Sequence, residues 1–350
     1  MIDINLIKET DYHWNQVHTG DTFSIYHTEA WKNLIVETFK HEAMYIGASQ
    51  NGLLIDVLPF FIIKNKFLGK KMVSTPYEGC NGGFHCKDGM VRRKLIEKII
   101  EHAHDLKVKH IEIRSKFQFE ELQEFGFVEK CPFVFSELPL KSLDENWNML
   151  SPNHRRNVRK AGKKGVVVRL ASSVTEMKIF NKILANHYKQ LGLPFFTESF
   201  FIQIWNKLIQ SKQACLLLSE YQQEIVGGLL LFFSGKTLIA KYSACIKNKD
   251  YERIYASYAL FWEGIRLGVN HNFTYFNLGI TDKSHRGLLD FKSRFGSQSS
   301  PLYFYYYPIS GRIPDYSSYL STYSLPKKVW RVAPRFLASP IGQKINEWIC

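Results

Sequence analysis

The sequence predicts an α/β fold, α+β in the way strands and helices segregate, built as two tandem units with mixed, largely antiparallel sheets. Three observations predict it. Apolar residues switch between a strand period and a helix period along most of the chain. One order of elements occurs twice, the mark of a duplicated unit. The 350 residues also exceed what one ordinary core takes up.

In the first half, Thr28 caps a helix that runs to about Lys40. Residues 42–50, 52–63 and 67–74 read as strands, the first two joined by the turn signal Asn51-Gly52. A Gly-rich loop follows at Tyr77–Gly83. Helical period covers 88–106, then come a strand at 109–114, a helix at 118–125 and a strand at Phe127–Phe135. Pro139–Leu150 reads as the junction.

The second half repeats that order. Ser151 and Pro152 are a good cap and a good first residue for a helix, which Gly162 or Gly165 ends before a strand at Val166–Val168. Thr175 starts the next helix and Gly192 ends it; Thr197 caps another to about Ser211. Ala214–Tyr221, Ile225–Phe233 and Thr237–Cys245 form a three-strand meander with turns at Gln222-Gln223 and Ser234-Gly235. A helix at Ile254–Leu267, a strand at Phe273–Leu278, a short helix from Gly287 to Phe295 and a strand at Leu302–Tyr307 complete the unit. The expected domains are therefore 1–140, 150–310 and a basic tail, 311–350, whose Pro314, Pro326, Pro334 and Pro340 keep it out of either half.

Net charge is +14, a field that attracts nucleic acid, anionic lipid or phosphorylated substrates. It concentrates in Asn153–Leu170, where Arg155, Arg156, Arg159, Lys160, Lys163 and Lys164 fall within ten residues and no acid lies between Ser151 and Thr175. On a helix Arg155 and Arg159 sit one turn apart, as do Arg156 and Lys160. Like charges at that spacing repel, and an anion would recover the loss; the plain alternative is a solvated basic surface. The six cysteines form no Cys-x-x-Cys pair. Cys80, His85 and Cys86 would be part of a metal site with no second ligand pair, so no metal is expected and the thiols read as reduced. The N-terminus has acids early and no long apolar run, and no segment reaches the roughly twenty apolar residues of a membrane span. The expected location is the cytoplasm, with peripheral contact at the inner face of the membrane as an extension.

The order of elements is similar to the GNAT acyltransferase fold, and the second half resembles its FemAB-like branch, the Fem-type aminoacyltransferases and their acyltransferase relatives. The motifs are a basic helix Arg156-Asn157-Val158-Arg159-Lys160-Ala161, the strand end Phe276-Asn277-Leu278-Gly279, and Gly287-Leu288, Phe291-Lys292 and Phe295-Gly296 after it. The first half adds Pro76-Tyr77 and Gly82-Gly83. Together they span residues from about 20 to 308. The resemblance implies transfer of an acyl or aminoacyl group to an amine or hydroxyl of a cell-envelope precursor, peptidoglycan or polysaccharide. The helical hairpin that some members use on tRNA has no counterpart. The glycine loop that holds the CoA pyrophosphate in ordinary GNAT enzymes is missing too: Lys247–Ser257 has no glycine. Aminoacyl-tRNA and acyl-CoA both stay open as donors.

Acyl transfer needs a positioned acceptor, proton removal and a stabilised oxyanion. Lys292 is the candidate for the last, at the edge of the stripe Leu288, Phe291, Phe295; the resemblance puts it near a tRNA 3′ end. The alternative is a lysine whose stem covers apolar surface. Asp282 and His285 are candidates for the base, His285 because it titrates near neutrality, although some acyl transfers need none. Arg155, Arg156, Arg159 and Lys160 would bind phosphate. Tyr77, Asn81 and Gly82, with Gly279, would line the substrate site, and the 77–83 loop reads equally as an ordinary turn. The tail Leu325–Trp348 mixes basic and aromatic residues, which suits an anionic membrane or packing on the body.

The expected partners are an anionic small-molecule or lipid-linked acceptor and an aminoacyl-tRNA. The competing readings are a non-catalytic RNA- or phosphate-binding protein, against which no RNP, KH or zinc-finger pattern appears, and a catalytically dead scaffold. No DNA-binding pattern is present.

Overall fold

The computed structural model describes residues 2–7, 24–65, 69–77, 82–248, 251, 253–310 and 313. Asn81, Cys80 and the tail from 314 lie outside them. Contacts divide the chain into two units, one running to Val134 and resuming at Pro301, the other spanning Phe135–Ser300.

In the first unit, β1 (Ile2–Leu6), β2 (Glu42–Gln50), β3 (Leu53–Asn65) and β4 (Gly69–Val73) pair antiparallel in sequence order, and β4 pairs parallel with β5 (His110–Ser115). Asn51 and Gly52 both take the positive φ that their turn requires, at 52° and 77°. Helix α1 (Glu29–Phe39) is capped as expected, Thr28 Oγ1 accepting from the Trp31 N–H at 3.1 Å. Helix α2 (Gly89–Asp105) buries Val91, Leu95, Ile96 and Ile99, the i, i+4, i+5, i+8 face, against Phe60, Ile62, Ile111 and Ile113. A short helix, α3 (Glu120–Glu124), leads to β6 (Val128–Pro139).

The second unit repeats the pattern. After α4 (Leu143–Met149) and α5 (Pro152–Lys163) come β7 (Val167–Leu170), α6 (Val174–Leu191) and α7 (Glu198–Ile204), which continues as a π-helix through Ile209. Strands β8 (Ala214–Tyr221), β9 (Glu224–Ser234) and β10 (Thr237–Cys245) form the meander, with β7 antiparallel on β8. Helix α8 (Ala256–Asn270) precedes β11 (Tyr275–Asp282), which pairs parallel with β10 as β5 does with β4. Helix α9 (Arg286–Ser293) and β12 (Gln298–Pro308) follow. Leu229, Leu231, Leu238, Leu260, Ile265, Phe276 and Phe295 are the centre of this core.

Three features differ from the sequence reading. The junction 139–150 is not bare chain: it holds α4, opened by a capping box in which Ser142 Oγ accepts from the Glu145 N–H and the Glu145 carboxylate from the Ser142 N–H. The sequence groups the closing strand with the second half, but from Tyr303 to Pro308 its backbone pairs with β5, so it completes the first unit. The end of β6 lies beside β11 in the second unit. Main-chain pairing carries no side-chain signature, so chain order could not reveal that exchange. Finally, α8 starts at Ala256 because Tyr255 sits at φ 62°, outside the helix.

Candidate active site

The second unit's site is built where β10 and β11 stop pairing. Their parallel ladder joins Thr237–Ile239 to Tyr275–Asn277 and ends there. Beyond it β10 carries an irregularity between Ala240 and Tyr242, and β11 reaches Gly279 at φ 86°. Asn277 fixes this bend: its Oδ1 accepts from the Gly279 N–H at 2.7 Å, and its Nδ2 donates to Glu137 at 3.1 Å. Glycine is required at 279, since a Cβ would stand 3.0 Å from the Ala240 carbonyl oxygen.

Lys292 fills the far side of that bend. Its Nζ donates to the Gly279 carbonyl at 2.8 Å, the Ile280 carbonyl at 3.2 Å and Thr281 Oγ1 at 2.7 Å. Sequence placed Lys292 at the edge of an apolar stripe; in the structure it is the buried residue of α9, at 5% exposure, while Leu288 of that stripe is exposed. Among the described residues no carboxylate offsets the burial, and desolvation pushes the amine down from 10.5 to about 7. Charged, it has three donors for three acceptors. Neutral, it keeps two for the carbonyls and accepts from the Thr281 hydroxyl. Both forms fit, and a lysine poised near neutrality serves either as a cation or as a proton acceptor.

The two expected base candidates hold the loop that delivers this helix. Asp282 Oδ1 accepts from the Ser284 N–H at 2.7 Å and its hydroxyl at 2.6 Å, an Asx turn. His285 is the N-cap of α9, its Nδ1 accepting from the Leu288 N–H at 3.3 Å. Neither bonds to Lys292.

Helix α5 meets α9 through His154, which sequence reasoning passed over. At 1% exposure its ring packs on Tyr258, Phe291 and Phe295, its Nε2 donates to the Phe291 carbonyl at 3.2 Å, and Ser151 Oγ meets its Nδ1. Burial lowers its pKa and so favours the neutral ring, and the bond to the Phe291 carbonyl places the hydrogen on Nε2. A histidine on a helix with so many cations reads as one more polar residue, and only its spacing to Asn157 and Ala161 hinted at an inward face.

The basic residues of α5 do different things. Arg155 turns back and donates to the Asn148 and Leu150 carbonyls at 3.0 and 2.9 Å, satisfying the exposed end of α4. Arg156 and Arg159 are exposed, Arg156 donating to Asn153 Oδ1 and Arg159 lying 5.2 Å over the Trp147 ring. Lys160 covers the Tyr255 ring at 5.2 Å, and Lys163 and Lys164 are exposed. Like charges thus share one face, while two of the six cations are spent within the fold.

In the first unit, Tyr77 is buried at 1% exposure, stacked on Phe39 at 3.8 Å with its hydroxyl 2.5 Å from His41 Nε2. Burial, then the charge of Lys71, depresses His41 to about 4. Gly82 donates its N–H to the Arg114 carbonyl at 3.0 Å and lies against Thr75, where a Cβ would meet Cγ2 at 2.2 Å. Beneath it Glu112 and Arg114 form a buried ion pair, a further polar feature the sequence left unmarked. Among the described residues no group of His, Cys, Asp or Glu could hold a metal ion, and no helix is long and apolar enough to cross a membrane.

A family model, FemAB-like, described as peptidoglycan biosynthesis/recognition, matches residues 65–295. Among solved structures, FemX is similar at a TM-score of 0.74 and 17% identity, over 93% of this chain and 100% of that one. The C-terminal domain of a putative lysylphosphatidylglycerol synthetase from Agrobacterium fabrum follows at 0.56 and 13%, over 84% and 90%. A tandem GNAT protein from the clavulanic acid pathway gives 0.55 and 7%, over 90% and 100%. At these identities the likeness establishes the fold, GNAT-like units in tandem. A search of curated proteins found no match.

Proposed function

We propose, on the premise that this chain belongs to the FemAB-like family, that it transfers an acyl or aminoacyl group onto an amine or hydroxyl of a cell-envelope precursor. The observation that carries this reading is Lys292, the amine of the Phe291-Lys292 motif, held on the Gly279–Thr281 bend with no ion-pair partner among the described residues. A group there can exchange one carbonyl partner for the developing oxyanion of a donor ester or thioester, where a desolvated charge is worth more than in water. The similarity to a lysylphosphatidylglycerol synthetase domain, named for attaching lysine to a lipid headgroup, supports an aminoacyl donor. Tyr255 at φ 62° marks the start of α8, where ordinary GNAT enzymes use glycines for CoA phosphates, and supports that donor over acyl-CoA.

Arg156, Arg159, Lys163 and Lys164 are the phosphate-facing residues of this reading, and Arg155 and Lys160 support the helix that carries them. Lys292 takes the oxyanion. His285 and Asp282 shape the loop, and a water or donor hydroxyl relays the proton. Gly279 keeps the bend open, and Tyr77 and Gly82 shape the first unit's loop. Function at the inner face of the membrane follows if the acceptor is lipid-linked.

The test is a transfer assay on the full chain, with aminoacyl-tRNA and acyl-CoA donors against nucleotide-linked and lipid-linked peptidoglycan precursors, read by the mass of the product. The expected result is a product from one donor that Lys292→Ala abolishes while the melting transition persists. Tight RNA binding with no product from any donor would favour instead the non-catalytic reading, which the exposed cations of α5 also suit.

A further inference from the structure

Asn277 is the last residue of β11 to pair with β10, opposite Ile239, and it is buried at 2% exposure. Its amide is engaged at both ends. The Gly279 N–H can only donate, so it faces Oδ1, at 2.7 Å. The Glu137 carboxylate of β6 accepts, so it faces Nδ2, at 3.1 Å. Turned over, the amide would set its NH2 against an N–H and its oxygen against a carboxylate oxygen. Glu137 therefore orients the amide, and the amide holds Gly279.

Gly279 is thus gripped from both sides. Asn277 takes its N–H, while Lys292 Nζ donates to its carbonyl at 2.8 Å and to the next carbonyl, that of Ile280, at 3.2 Å. A glycine at φ 86°, past the point where β10 and β11 stop pairing, has wide backbone freedom of its own. Released from Asn277, it would let both carbonyls turn away from the amine. Nζ has three hydrogen-bond partners among the described residues, and neither Asn277 nor Glu137 is one of them. Their influence on the amine runs through the backbone of the bend. We infer that Asn277, oriented by Glu137, is a positioning residue for acyl transfer: it aligns the Gly279 and Ile280 carbonyls that hold the Lys292 amine where an oxyanion would form. The role in transfer rests on the reading proposed above; the placement of the amine does not. The plain alternative is a buried asparagine that only stabilises the strand end. Its loss would lower stability and leave the amine as it was.

The experiment compares the full chain as wild type, as Asn277→Ala and as Asn277→Asp/Glu137→Gln. The double variant exchanges acid and amide between the two positions. It keeps an acceptor on the Gly279 N–H and remakes the bond to β6 with its donor on the other side. Three readouts are taken: kcat and KM in the transfer assay, melting, and titration of the Lys292 amine by NMR of 15N-lysine-labelled protein, assigned with Lys292→Met. Asn277→Ala is expected to lower kcat about tenfold with KM within about twofold, the pattern of an interaction made in the transition state. The amine should titrate below its wild-type value, because it stays buried while its acceptors are misaligned. Glu137, Asp282, His285, Asp290 and His154 are all retained in that variant, so the shift reports the bend. The double variant should recover kcat to within about threefold and return the titration towards wild type. An unmoved titration in Asn277→Ala, or a double variant no better than Asn277→Ala, would overturn the role. If Asn277→Ala does not melt cooperatively, Asn277→Asp takes its place, with the same requirement that adding Glu137→Gln restore the wild-type values. Should wild type itself give no product from any donor, the transferase reading fails, and the amine titration still decides whether Asn277 positions Lys292.

Discussion

Lys292 Nζ lies 2.8 Å from the carbonyl oxygen of Gly279, a residue whose φ of 86° turns that carbonyl towards the amine. The two positions depend on each other. Gly279→Ala places a side chain on a left-handed backbone and sets its Cβ 3.0 Å from the Ala240 carbonyl oxygen. A loss of about 1–3 kcal/mol is expected, in the range of strained backbone positions. The ammonium would be displaced with the bend, so transfer is expected to fall further than stability alone explains. Denaturant titration alongside the transfer assay checks both. A variant of wild-type stability and rate would show that the bend tolerates a side chain.

Stability should respond to pH through Lys292 in a defined direction. Below about 7 the amine is protonated in both states, and the fold bears the full desolvation cost. Between about 7 and 10.5 the unfolded chain binds more protons, so this residue's contribution improves as pH rises through that window. Lys292→Met keeps the stem and removes the titration. The stability difference between wild type and variant should therefore move in favour of wild type from pH 7 towards 10.5. Urea denaturation across that range checks it, and a constant difference would mean that the folded amine titrates normally.

The cations of α5 should separate by role. Arg155 donates to two carbonyls at the end of α4, so Arg155→Gln is expected to cost about 1 kcal/mol of stability, the net worth of such bonds at a half-buried site. Arg156→Gln and Arg159→Gln should leave melting nearly unchanged and weaken binding of an anionic substrate or RNA, with a shallower salt dependence. If Arg155→Gln alone removed binding, with melting intact, the assignment would be reversed.

Much of this is legible in the sequence. The caps at Thr28 and Ser151, the Asn51-Gly52 turn and the β8–β10 meander follow local rules, and local rules fixed them. The FemAB-like motifs also marked the family. What escaped was non-local. The pairing of β12 with β5 depends on backbone groups that every residue shares. Lys292 was singled out, but its burial was not visible, because a helix wheel ranks a lysine as polar and could not register three oxygens waiting on another strand. On the family's basic helix the sequence assigns phosphate binding to Arg155, Arg156, Arg159 and Lys160 alike, although Arg155 is a structural donor and the most buried polar residue of that helix is His154. The α4 helix is a different kind of miss: its Ser142-x-x-Glu145 capping box was in plain sight within a stretch read as a linker.

His154 supplies the last prediction. Its neutral ring joins α5 to α9 through the Phe291 carbonyl, and burial holds its pKa below the ordinary 6.5. The unfolded chain therefore takes up a proton at this residue before the fold does, so its contribution is complete above pH 6.5 and declines as pH falls below that value. His154→Phe preserves the ring volume between Tyr258 and Phe295 but deletes the bond and the titration. At pH 7.5 the variant should be less stable by about 1 kcal/mol, the net value of one hydrogen bond plus an orphaned carbonyl. Towards pH 5 that gap should close, because only wild type carries the penalty of charging a buried imidazole. His41, His110 and Asp56 also titrate in acid, but they are common to both proteins and cancel in the difference. Denaturation of the pair at several pH values reads the gap directly. A gap that widened in acid would mean that the folded ring prefers the charged form, and the neutral bridge between the two helices would have to be abandoned.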